Sequence, residues 1–359
     1  MFRSRSIRIA AVLPVLALWA AINTGCRPES DSKRIEQAVA PTDTPSGFWS
    51  RPPGTHIRVL VYNVHWDAIF DPNDAQNHSW KKYNKRAEFD RVLRATDPDI
   101  VCLQEINEVR DPQQLADILD EVRPISGGAK WKAHMGSDNV IVSKFPLTET
   151  SIDTIPATRR RHAAALIDLP DDRFRKDAYI INAHYKASGG DRNIRRRQRH
   201  SDAIIKWLRD ARTPGDQIDL PQGTPMFVLG DLNVYETDPH YHLTTLITGD
   251  IVNENVFGPD SKPDWDGTPM TDLLPVHNGA GTVNWTWRDD TQEFNPGDLD
   301  HVVYTDSCVK IVKSFVLNTT TMSAEELEES GLQPADVVLD MSSGEFDHLP
   351  IVFDFCPAR

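Results

Sequence analysis

From Ile57 onward the chain alternates short apolar runs with polar punctuation. Residues 57–63 (IRVLVYN) are rich in β-branched and aromatic side chains and predict a strand. Residues 82–96 switch to a helical period, with Phe89, Val92 and Leu93 on one face. Pro98 stops that helix, and 99–104 (DIVCLQ) predicts a buried strand. Residues 139–143 form a third run, and 163–168 with 179–183 read as a neighbouring pair. A helix is expected at about 195–210, with Ile204, Ile205 and Leu208 together, followed by a buried strand at 226–229. Residues 301–304 and 349–355 close the series of strands. The acidic stretch 323–331 (SAEELEESG) predicts a surface helix or insertion, and no internal repeat is visible. Strands interleaved with helices predict an α/β fold, a layered sandwich.

Composition adds bounds. The 359 residues suit one large domain or two smaller ones, and 39% hydrophobic with 26% charged residues is ordinary for a globular protein with a sizeable core. The net charge of −14 argues against non-specific wrapping of nucleic acid, which relies on many Lys and Arg contacts. It leaves a nuclease possible, because an enzyme can grip a few phosphates locally with help from a metal ion. At the N-terminus, Arg3, Arg5 and Arg8 precede an apolar stretch at 9–22 that is shorter than the roughly 20 residues a bilayer span needs. Asn23-Thr24-Gly25-Cys26 follows and resembles a bacterial lipoprotein signal, in which Cys26 would be lipidated, although Asn23 stands where that pattern usually has Leu. A simple secretory signal is the alternative. Residues 1–26 are therefore expected as an export signal. Residues 27–54, rich in Pro, Ser, Thr, Glu and Asp, are expected as a flexible tether, and 55–359 as the folded domain. The expected location is the cell envelope or the secreted or periplasmic space.

The chemistry is carried by where polar residues fall. Asn63 ends the first strand, Gln104-Glu105 the second, His184 follows residues 179–183, and Gly230-Asp231-Leu232-Asn233 ends another. Asp300-His301 and Asp347-His348 instead precede their strands. A site gathered from strand ends and loops is what an α/β scaffold offers a ligand. Singly, each piece reads more readily as a cap, a turn or a satisfied histidine. Together and in order, VYN63V, CLQE105I, VIVS143KFP, INAH184Y, VLGD231LN233, TW287R, LD300HVV and FD347H348LPI resemble the endonuclease/exonuclease/phosphatase superfamily with DNase I-like folds. The resemblance spans about Arg58 to Phe355. It implies a four-layered α/β sandwich, two mixed sheets face to face with helices outside. It also implies phosphoester hydrolysis with Mg²⁺ or Mn²⁺.

Phosphate chemistry assigns the expected roles. The enzyme must neutralise charge, supply a nucleophilic water and stabilise the leaving oxygen. Glu105 suits a hard cation, with Asn63 and Asp347 as further metal-side residues. His348 is the candidate general base and Asp300 its partner. Asp231 and Asn233 would orient the attacking water, and His184 would donate to a phosphoryl or leaving oxygen. One departure matters: some DNA-repair members carry an Asp two residues after the first-strand Asn, and here that position is His65. For substrate binding, Arg192 and Arg195 of the 192–199 cluster, and Trp287, are candidates, against exposed-helix and packing readings. Arg159, Arg160, Arg161 and His162 precede a strand and can line the same cleft, against a surface-turn reading. Cys102 reads as a buried thiol. Cys308 lies eight residues after Asp300 and Cys356 nine after Asp347, so a disulfide between them is expected if those strands run alongside. The expected substrate is a phosphoester, possibly nucleic acid, with a phosphatase or lipid phosphodiesterase as the rival reading. An inactive binding module is the rival of another class. A monomer is the default, anchored in the membrane if Cys26 is modified.

Overall fold

The computed structural model describes residues 47–357, apart from 55, 75, 77–83, 153–159, 216, 236–240, 290–293 and 338–345. The signal segment, Cys26 and most of the expected tether lie outside the described residues. In chain order the elements are β1 (Ile57–Asn63), α1 (Arg86–Thr96), β2 (Ile100–Gln104), α2 (Gln113–Val122), β3 (Lys132–Met135), β4 (Asn139–Ser143), β5 (Leu147–Ile152) and β6 (His162–Ile167). Then come β7 (Ala178–His184), α3 (Asp191–Ala211), β8 (Met226–Asp231), α4 (Tyr241–Thr248), α5 (Glu254–Phe257), β9 (Thr271–Asp272), β10 (Asp300–Tyr304), β11 (Val309–Val316), α6 (Ala324–Ser330) and β12 (Ile351–Pro357).

The strands form two six-stranded sheets, ordered β11-β12-β1-β2-β4-β3 and β5-β6-β7-β8-β10-β9. Each has one central parallel pair, β1 with β2 and β7 with β8, flanked by antiparallel neighbours. This is the expected four-layered α/β sandwich of two mixed sheets. Period-2 alternation assigns the faces. On β8, Phe227 and Leu229 enter the core shared by both sheets. Met226 and Val228 turn the other way, to Ile204, Ile205 and Leu208 of α3 and Leu246 of α4. Phe227 meets Phe355 and Phe353 of the opposing sheet at ring-centroid distances of 4.7 and 5.6 Å. Polar bridges also cross between the sheets. Asn182 of β7 accepts from Gln104 Nε2 at 2.6 Å and donates to Leu103 O at 3.0 Å and Val140 O at 2.9 Å.

Several local expectations shift. Helix α1 begins at Arg86 and is capped after Thr96 by Asp97, which takes a left-handed conformation (φ 46°) just before Pro98. Helix α3 begins at Asp191, earlier than expected, because Gly190 (φ 90°) breaks the chain there. Helix α6 carries a capping box between Ser323 and Glu326 and ends at left-handed Gly331. The folded part also starts before the expected boundary at 55. Trp49 is buried in the core, and Phe48 packs edge-on against Phe315 at 5.2 Å. The cause is Arg58, whose buried guanidinium pairs with Asp354 and donates to Trp49 O, Ser50 O and Thr96 O. An isolated buried charge is costly, so the preceding segment is drawn in to satisfy it.

The expected Cys308–Cys356 disulfide is not formed. Cys308 is a free, buried thiol that donates to Thr305 Oγ1 at 3.1 Å. The premise fails because β10 and β12 belong to different sheets. Where β11 meets β12, Cys356 lies opposite Lys310, so Cys308 is out of register. Cys102 is a free buried thiol, as expected.

Candidate active site

Strand register gathers the polar residues. The parallel pairing of β1 and β2 sets Asn63 beside Gln104, so Glu105 emerges next to it. The parallel pairing of β7 and β8 sets His184 beside Asp231. The antiparallel pairing of β8 and β10 sets Asp231 beside Asp300. Residues far apart in the chain therefore meet at one end of the facing sheets. Two of them leave their strands in left-handed conformations, Glu105 (φ 61°) and Asn233 (φ 50°).

At the centre, Asp231 Oδ1 accepts the Asn233 N–H at 2.9 Å and Oδ2 accepts Asn63 Nδ2 at 3.1 Å. Both imidazoles face the same oxygen: His184 Nε2 is 3.5 Å and His348 Nε2 3.8 Å from Asp231 Oδ2. His348 Nδ1 is held by Asp300 Oδ2 at 2.7 Å. The Asp300 backbone N–H donates to Thr286 Oγ1 at 3.0 Å, and Leu349 N donates to Thr286 O at 2.7 Å, so one threonine ties both halves of the dyad together. Asn233 is fixed by donating to Tyr185 O at 3.3 Å and accepting from Tyr235 OH at 3.1 Å.

His184 has its own carboxylate. Its Nδ1 pairs with Asp138 Oδ2 at 2.9 Å, and Arg160 Nη2 stands 3.5 Å from the same oxygen. Arg160 Nη1 donates to His184 O and Tyr185 O, both at 3.0 Å.

Electrostatics follow from this crowding. Burial pushes the Glu105 carboxyl up, His184 pulls it down and Asp347 pushes it further, leaving it at about 7. Burial likewise raises Asp231 against the pull of His348 and His184. For His348, burial opposes the charged form, but Asp300 outweighs it and lifts the pKa well above the ordinary value. For His184, burial opposes and Asp138 prevails, so its pKa is raised, whereas Asp138 is lowered despite its burial because His184 and Arg160 stand beside it.

The carboxylates outnumber the fixed cations here, and a divalent cation fits. One ligand atom each from Glu105, His184 and Asp231 lies within 4.8 Å of the others. Asp347 Oδ1 and Asp300 Oδ1 are buried without a hydrogen-bond partner among the described residues. Glu105 is common to this trio and the expected metal set. Asn63 turns its amide N–H toward Asp231 and its carbonyl accepts the His65 N–H at 3.0 Å. Asp347 lies 3.8 Å from His65 Nδ1.

All seven strand-end and loop residues expected at the centre (Asn63, Glu105, His184, Asp231, Asn233, Asp300 and His348) converge, with Asp347 at the edge. Arg192 and Arg195 are exposed on the first turns of α3, and no contact among the described residues ties them to the cluster. Trp287 is half-buried, its backbone bridging to both His348 and Gly297, with Phe294 6.3 Å from its ring. Trp285 packs edge-on against His277 at 4.5 Å, which is a packing role. Sequence reading missed Asp138 and Thr286. The only trace of Asp138 was its place just before an apolar run, and Thr286 had no distinguishing signal.

A model of the Endonuclease/Exonuclease/phosphatase family matches residues 60–321. No curated protein matches the chain. Among solved structures, ANGEL2, described as a 2′,3′-cyclic phosphatase in complex with adenosine-2′,3′-vanadate, aligns with a TM-score of 0.51 and 13% identity, over 84% of this chain and 95% of its own. The human Nocturnin catalytic domain with bound sulfate aligns at 0.49 and 16%, over 84% and 95%. An endonuclease/exonuclease/phosphatase from Bacteroides vulgatus aligns at 0.48 and 17%, over 84% and 98%. At such identities the likeness is one of fold.

Proposed function

The chain belongs to the endonuclease/exonuclease/phosphatase family, and from that premise we propose that it is an exported, divalent-metal-dependent phosphoester hydrolase acting on phosphodiesters of the nucleic-acid kind. The observation that carries the reading is the convergence of Glu105, His184 and Asp231 within 4.8 Å, beside an imidazole fixed on a buried carboxylate at 2.7 Å. Glu105 and Asp231, with His184, would hold Mg²⁺ or Mn²⁺, which when bound neutralises phosphoryl charge as a Lewis acid.

The chain's own groups do the rest. Asp300 fixes the His348 ring through Nδ1, leaving Nε2 to carry a proton at the reacting centre. Asp231 is oriented by Asn233 and Asn63 and positions the attacking water. The Asn63 amide is a donor for a phosphoryl oxygen. Asp138 holds the His184 tautomer. Trp287, whose backbone bridges to His348 and whose ring lies 6.3 Å from that of exposed Phe294, is the candidate stacking face for a base or sugar, which favours nucleic acid over a lipid head group.

Hydrolysis by the full chain with Mg²⁺, Mn²⁺ or EDTA, beside His348→Ala, tests the reading. The panel holds DNA, RNA, a 2′,3′-cyclic nucleotide, inositol phosphates and sphingomyelin. Activity on nucleic acid that needs both metal and His348 is expected. Preference for inositol phosphates or sphingomyelin would replace the substrate class, and metal-independent turnover would overturn the proposal. Export and lipidation rest on the 1–26 pattern. Palmitate labelling of the wild type, lost in Cys26→Ala, is the expected result.

A further inference from the structure

After β1 the chain makes a turn that L-residues disfavour. His65 (φ 50°), Trp66 (φ 51°) and Asp67 (φ 62°) are consecutive, left-handed and none is glycine. In that conformation each Cβ crowds the following carbonyl oxygen. Such geometry persists only where the surroundings over-determine it, and it concentrates at functional sites.

What over-determines it is a buried ion pair. The Asp67 and Arg110 side chains are each 1% exposed. Asp67 Oδ2 accepts Arg110 Nε at 2.9 Å, and Oδ1 accepts the Asn107 N–H at 2.9 Å. Arg110 Nη1 donates to Asp74 at 2.8 Å and Gln114 at 3.3 Å, and the guanidinium lies 3.6 Å over the Phe70 ring. The pair therefore clamps the loop after β1 to the loop after β2. On the far side of the same turn, successive N–H groups point into the site. Trp66 N donates to Glu105 Oε2 at 3.0 Å, His65 N donates to Asn63 Oδ1 at 3.0 Å, and Asp67 N donates to Glu105 O at 3.0 Å. A relaxed, right-handed turn would aim these donors elsewhere and leave the Glu105 carboxylate free to rotate.

We propose that Asp67 and Arg110 are positioning residues: their buried pair holds the left-handed turn whose Trp66 N–H fixes the Glu105 carboxylate for its cation. This rests on the metal-dependent reading above. Neither residue belongs to the Glu105, His184 and Asp231 trio. Partners that orient a ligating carboxylate typically change metal affinity when removed.

The test is Mn²⁺ titration of the full chain by calorimetry, for wild type, Asp67→Asn and Arg110→Lys, with thermal melts alongside. Both variants should bind Mn²⁺ about 10- to 100-fold more weakly at temperatures where they remain folded. A merely structural role would lower the melting temperature and leave affinity within about twofold, far inside that expected range, and would overturn the proposal. If Asp67→Asn does not fold, Arg110→Lys, which keeps the charge but loses the planar fork, decides alone by the same criterion. Failure of the wild type to bind Mn²⁺ would instead remove the metal-dependent reading, and the positioning role with it.

Discussion

Replacing Asn182 by leucine removes the polar bridge between the two sheets at nearly constant volume. Asn182 is fully buried on β7, and its amide makes three bonds to the opposing sheet, with Gln104 Nε2, Leu103 O and Val140 O, at 2.6 to 3.0 Å. A buried hydrogen bond contributes about 1 kcal/mol net, so their loss should destabilise the fold by about 3 kcal/mol. Leucine leaves little cavity, so the packing contribution is small. The bridge also lies under the site: Gln104 precedes Glu105, and Asn182 lies two residues before His184. Loss of the bridge should let the halves carrying Glu105 and His184 shift, and a displacement of about 1 Å can lower turnover on the order of 10²-fold. Urea unfolding followed by tryptophan fluorescence and circular dichroism measures the first effect. Steady-state hydrolysis at a temperature where the variant is folded measures the second. A destabilisation below about 1 kcal/mol, less than one net hydrogen bond, together with unchanged turnover would refute the account of sheet coupling.

Asp300→Asn should lower kcat by about 10²- to 10⁴-fold with a near-normal melt, because His348 loses the carboxylate that fixes its ring; retention of most activity would remove the dyad from the mechanism. Asp354→Ala should destabilise by about 3 to 5 kcal/mol, since it strands the buried Arg58 guanidinium, and a melt close to wild type would refute that reading. His162 and His200, bonded to each other at 2.8 Å, are held neutral by burial, His162 down to about 3 from its ordinary 6.5 and His200 well below its ordinary value. The unfolded chain therefore binds more protons below about 6.5, so stability present above that pH falls on acidification, by about 1.4 kcal/mol per pH unit per histidine. His162→Phe should lose less stability between pH 7 and pH 5 than the wild type, and an equal loss would show that other groups govern the acid limb.

The acidity of the site fits the chemistry proposed for it. Glu105, Asp231, Asp300, Asp347 and Asp138 would repel a phosphodiester if they stood alone. Asp138 and Asp300 are matched to imidazoles at 2.9 and 2.7 Å. Burial leaves Glu105 and Asp231 with raised pKa values, against the pull of His184 and His348. A bound divalent ion would offset the charge of these two carboxylates and lessen the repulsion of a phosphodiester.

By itself the sequence determined most of the strands (not β3, β5, β9 or β11), the family and the main constellation, because apolar periodicity and polar strand ends are local patterns that survive without coordinates. Asn63, Glu105, His184, Asp231, Asn233, Asp300 and His348 were legible for that reason. Tertiary structure decided what depends on register and on which sheet a strand joins. It set Asp138 against His184, turned the Asn63 amide toward Asp231 and brought His184 together with Glu105 and Asp231. It separated Cys308 from Cys356 by sending β10 and β12 to different sheets, although their spacings looked alike. It drew Trp49 into the core because Arg58 needed its carbonyl. The left-handed run at 65–67 was invisible in advance, since no glycine marks it and its stability comes from Arg110, more than forty residues away. That pairing is set by which strands lie side by side, here β1 beside β2, which local sequence does not encode.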